Sequence, residues 1–96
     1  MRRLARKAAI DAGTAVEVTL RSYAISNSIA IRTQPPAMLG WYVHNTAPGL
    51  PADTQTKLVE VRNNATHYNA AFNDTLVPEA ITIATQIVET LDPLVL

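Results

Sequence analysis

His44 and His67 are the residues of this chain best suited to general acid–base or metal chemistry. A metal would want a second ligand at converging spacing, such as four residues away on a helix. His67 instead has Asn63 and Ala71 at those distances, and His44 has Tyr42 and Asn45 beside it. Neither histidine carries a recognised catalytic motif, so both read as ordinary polar residues, one in a loop and one on a helix flank. The carboxylates are spread singly, with no spacing that favours an acid pair, and Asp53 and Glu79 stand where helix starts are expected. Three glycines (Gly13, Gly40 and Gly49) cannot build a phosphate-cradling loop. The chain has no cysteine, which removes disulfides and thiolate metal sites. The expectation is a protein without enzymatic activity, cofactor or metal.

Charge is the other source of chemistry. Four of the eight basic residues, Arg2, Arg3, Arg6 and Lys7, lie in the first seven positions, and no acid precedes Asp11. The formal net charge of zero therefore hides a basic arm on an acidic body. Such an arm suits an anionic partner and could grip phosphates without reading sequence. Nucleic acid is thus a candidate partner, although no aromatic residues are interleaved to stack bases. The same stretch, MRRLARKAAI, is Arg-rich and acid-poor in the manner of an organellar presequence. The competing role for the arm is solubilising or subunit docking.

Trp41 and Tyr42 are the second candidate, either as interface anchors for a partner or as a cap over the helices. A Trp between two helical segments of a short cysteine-free chain resembles the helical-hairpin proteins exported by type VII secretion, whose turn carries Trp-x-Gly. Here Gly40 precedes Trp41 and that triplet does not occur, so membership does not follow. Asn64-Ala65-Thr66 and Asn73-Asp74-Thr75 match the glycosylation acceptor pattern, which is short and frequent.

The elements that must position these residues are mainly α-helical. The pattern predicts one small domain over 1–96 with a basic arm at 1–7, a Pro-rich connection at 34–53 and an apolar tail at 93–96. About three helices form it. Leu58, Val61, Ala65, Tyr68 and Phe72 recur at helical spacing and predict a helix over 54–73, started by Asp53 or Thr54, with Arg62 on its solvated side. Pro78 opens a second helix whose stripe is Ile81, Ala84, Ile87, Val88 and Leu91, ended by Pro93. In the first segment Ala5, Ala9, Ala12, Val16, Thr19, Tyr23, Ser26 and Ala30 form a seam with heptad spacing. The alternative there is an α+β fold with a hairpin at 15–33, turned by Ser26–Ser28. Helix is the preferred reading, because the strand alternation loses phase between Leu20 and Tyr23. Any break is expected near Gly13.

Composition completes the reading. Hydrophobic residues make up 48% and charged residues 17%, against about 25% charged in an average soluble domain. No stretch is apolar enough for a transmembrane helix. A short chain with surplus apolar surface is expected to hide it in association. The protein therefore reads as a structural subunit of a larger assembly, of the kind that builds a virion shell, neck or tail or a filament. Its partners would be copies of itself or other subunits, in the cytoplasm or a virion. The expected contacts are Ala5, Ala9, Gly13, Val16 and Tyr23 on the seam, Trp41 and Tyr42 in the loop, and Leu94, Val95 and Leu96 docking on a neighbour, with both chain ends held. The alternatives are a nucleic-acid-binding or packaging protein acting through the arm, and a regulatory module docking through Trp41 and Tyr42.

Overall fold

Alanine-rich sequence and an i, i+4 ion pair start the longest element, helix α1, Arg2–Ser26. The pair is Lys7 Nζ to Asp11 Oδ2 at 2.8 Å. The computed structural model describes residues 2–91, with side chains from Leu4 onward. Helix α1 runs unbroken through Gly13 and through the segment that could have been a hairpin. Ser26–Ser28 is not a strand turn but the end of this helix. The Ile29 N–H reaches back to the Ala24 carbonyl at 2.9 Å and the Ser28 N–H to the Ile25 carbonyl at 3.3 Å. With Ser28 at φ 57°, this is a Schellman termination, which satisfies carbonyls that the helix itself leaves open.

The Pro-rich connection, expected as a long loop in which Trp41, Tyr42 and Val43 could form a short strand or a plug over the core, contains a helix instead. This is α2, Leu39–Asn45, on which Trp41 and Tyr42 meet edge to face at 5.4 Å between ring centroids. A wide π-helical turn, Gln55–Val59, then leads into α3, Glu60–Thr66. The turn puts two consecutive side chains, Leu58 and Val59, in the core. Thr54, also buried, donates its hydroxyl to the Pro51 carbonyl at 2.7 Å rather than capping the helix. Lys57 on this turn reaches Glu79 Oε1 at 3.1 Å and Asp53 Oδ2 at 3.2 Å. Those two carboxylates, Glu79 foremost, hold its ammonium above the ordinary lysine range.

The helix expected over 54–73 ends at Thr66 instead. A second Schellman motif stops it, with Tyr68 at φ 50° and the Asn69 N–H bonded to the Asn64 carbonyl at 2.9 Å. Tyr68 therefore leaves the apolar face and stands 77% exposed, while Phe72 returns to the core from the loop that follows. A short 3₁₀ turn, Asp74–Leu76, capped by the Asn73 side chain, feeds the last helix, α4, Val77–Leu91. Pro78 sits in its first turn as expected. Its buried row is Val77, Ala80, Ile83, Ala84 and Ile87, so Ile81, counted in the sequence as core, faces outward.

Four α-helices thus form the described residues, one more than the pattern predicted, and the fold is mainly α. Helix α1 is the spine and packs against α2, α3 and α4. Leu20, Leu39, Leu58, Ile87, Val16 and Val59 are fully buried at the centre. The radius of gyration, 13.1 Å, is that of a chain of this length folded on itself.

Candidate functional site

The two sides of α1 have different fates. Ala9, Gly13, Val16, Leu20 and Ala24 face inward. The seam expected to meet a neighbour is therefore largely spent inside the chain: Ala9, Gly13 and Val16 are buried against its own elements, and Ala5 and Tyr23 are half-buried. Gly13 is required there by close approach. A Cβ at that position would lie 2.4 Å from Arg62 Cγ, so the Arg62 stem covers α1 rather than standing in solvent. Tyr42 is likewise buried, and Trp41 half-buried, which makes them the cap over the helices rather than a free pair of anchors. Leu94, Val95 and Leu96 lie outside the described residues.

The basic arm is similarly engaged. Arg6 Nη1 donates to the carbonyls of Ala65 at 3.3 Å and Asn64 at 3.4 Å, at the end of α3. Its guanidinium carbon lies 4.6 Å from the Phe72 ring centroid and 5.0 Å from that of Tyr68. A cation on the last carbonyls of a helix meets the negative end of its dipole, and the two rings add cation–π attraction. Lys7 is bonded to Asp11. Arg6 is thus engaged within the fold, and the side chains of Arg2 and Arg3 lie outside the described residues. Arg6→Ala is expected to lower the unfolding free energy by about 1–2 kcal/mol, read by urea denaturation. Arg6→Lys should recover only part, since an ammonium cannot stack as a planar guanidinium does.

The histidines are placed without a common centre. His44 donates Nε2–H to Gln55 Oε1 at 2.7 Å, tying α2 to the π-helical turn, and His67 follows the end of α3. Among the described residues, no three His, Asp or Glu side chains stand together as metal ligands, and no helix is long and apolar enough to cross a membrane. Of the glycosylation-pattern residues, Asn73 spends its side-chain oxygen on the Thr75 N–H at 3.0 Å and hydroxyl at 2.7 Å.

The outward side of α1 remains as the candidate site. Leu4, Val18 and Ile25 are 63%, 60% and 63% exposed, and the spacing of α-helix geometry sets them in one row. Beside this row runs an apolar groove of about 630 Å³ between α1 and α4. Its α1 side is Ala8, Asp11, Ala12 and Ala15, and Ile81, Ala84 and Val88 contribute from α4. The sequence pattern placed the contact with a neighbour on the seam of Ala5, Ala9 and Gly13, which the fold turns inward. The row at Leu4, Ala8, Asp11, Ala15, Val18, Ser22 and Ile25 has the same spacing of three and four and was missed. Compared with protein-family models, curated proteins and solved structures, the chain matches none.

Proposed function

We propose that the protein is a non-enzymatic structural subunit that takes its place in a larger assembly through helix-to-helix contact. The observation that carries this reading is the row of exposed Leu4, Val18 and Ile25 beside the apolar groove. Single exposed leucines are common on any protein and need no explanation. An aligned row flanking an apolar groove is the pattern of an interaction surface. The low charged fraction, 17%, supports the same reading. The competing reading, a nucleic-acid binder working through the arm, loses ground because Arg6 and Lys7 already have partners within the chain. Sedimentation equilibrium on the purified chain at micromolar concentration tests the proposal. The expected result is a mass above the 10.4 kDa of one chain; a stable, folded monomer overturns it.

A further inference from the structure

We infer that the occupant of the outer α1 face is a second copy of this chain, its α1 antiparallel to the first about a two-fold axis between Val16 and Glu17. The inference rests on the subunit reading above and names the partner. The outer row, at alternating intervals of three and four, has the spacing of a coiled-coil seam. It divides into large residues (Leu4, Val18 and Ile25), small ones (Ala8, Ala15 and Ser22) and a single charge, Asp11. Both kinds lie on one face, so each copy supplies knobs and the hollows to receive them. That self-complementarity is what a two-fold interface requires.

The register follows from size and charge. With the axis between Val16 and Glu17, Val18 lies over the copy's Ala15, Ile25 over its Ala8, and Ser22 over its Asp11. Each apolar layer between Ala8 and Ile25 then pairs a large side chain with a methyl group, and Leu4 lies beyond the end of the copy's α1. Val18 and Ile25 then face the copy's groove, whose lining includes Ala8 and Ala15. At the polar layer the Ser22 hydroxyl can donate to the copy's Asp11 carboxylate, and Arg21 next to it brings the opposite charge. The carboxylate has lone pairs to spare beyond its bond to Lys7. Two other antiparallel registers lie half a heptad away. One sets Asp11 on Ala15 and buries a charge against a methyl group, which is costly. The other sets Val18 on Ser22 and Ile25 on Ala15 and leaves Ala8 and Asp11 past the end of the copy's α1, a shorter contact. A parallel pairing sets Asp11 on Asp11 and repels. The contact from Ala8 to Ile25 runs about 26 Å along the helix.

Two variants of the full chain test this. Val18→Asp should weaken association about 100-fold or more, because an unpaired charge enters the seam twice per dimer. Circular dichroism should be unchanged, since Val18 is 60% exposed. The chain has no cysteine, so Asp11→Cys/Ser22→Cys introduces thiols at chosen places only. Within one helix these positions are about 16 Å apart, beyond the reach of a disulfide. Oxidation should therefore yield a covalent dimer from the double variant and not from Asp11→Cys alone. If the wild type sediments as an oligomer while the double variant fails to cross-link, the antiparallel pairing is wrong and the subunit reading stands. Cross-linking of Asp11→Cys alone points to parallel helices and overturns the inference. A wild-type monomer overturns both.

Discussion

Gly13→Ala should lower the unfolding free energy by about 1–3 kcal/mol, although alanine is the better helix former by about 1 kcal/mol. The reversal comes from one contact. The new Cβ would lie 2.4 Å from Arg62 Cγ and 3.2 Å from both Arg62 Cβ and Cδ. These atoms are at the root of the side chain, so no swing of the guanidinium relieves the clash, and α1 and α3 must separate. The Arg62 Nε is itself buried, so the stem is packed among its neighbours rather than lying in solvent. A double-mutant cycle with Arg62→Ala isolates the contact. Removing Cγ and Cδ leaves only Cβ at 3.2 Å, so the double variant should lose about 1 kcal/mol or more less than the two singles together. Urea denaturation of the four proteins supplies the cycle. A neutral or stabilising Gly13→Ala would mean that the two helices do not approach this closely.

That contact also marks where sequence reasoning stopped. A glycine among alanines and β-branched residues weakens a helix as a local signal, and only a residue 49 positions later explains it. Arg62 was placed on a solvated face because it is charged, yet an arginine stem is hydrocarbon and packs as such. The helical character of the chain was legible from Leu58, Val61 and Ala65 and from Pro78 with its following stripe. The rotation of the helices was less so. In α1, small residues stand at intervals of three and four on both sides, so periodicity fits an inward row and an outward row almost equally. The deciding fact is which row meets Leu39, Leu58 and Ile87, and that is tertiary. The end of α3 was hidden for a different reason. Its Schellman turn uses Tyr68 where glycine is usual, so no breaker residue announces it. Helix α2, seven residues long, is too short for a period to emerge, and prolines on either side made it read as loop.

The candidate site was obscured by the same ambiguity. The basic arm stood out because charge is visible in sequence, but Arg6 is answered by carbonyls at the end of α3 and by the Tyr68 and Phe72 rings. No local pattern encodes that answer. The outer row of α1 was visible as spacing and invisible as a surface.

Leu20→Ala and Val18→Ala, two residues apart on one helix, should therefore behave as opposites. Leu20 has no exposed surface and belongs to the cluster with Leu39, Leu58 and Ile87. Truncating it removes apolar contacts and leaves a cavity, at about 2–5 kcal/mol. Total stabilities of small domains are about 5–15 kcal/mol, so the loss is a large share. At roughly 4–8 °C per kcal/mol for a domain of this size, thermal unfolding followed by circular dichroism reads it directly. Val18 is 60% exposed, and its truncation should change the stability of the isolated chain by no more than about 0.5 kcal/mol. The measurement belongs at concentrations low enough that association adds nothing to stability, since binding raises the apparent midpoint by mass action. At higher concentration, Val18→Ala should begin to cost stability while the Leu20→Ala deficit stays constant, because only the outer row gains from a neighbour. Equal losses at low concentration would mean that α1 is rotated from the orientation described, with its two rows exchanged. The contrast thus separates the side chains that fold the molecule from those that the proposed assembly would use.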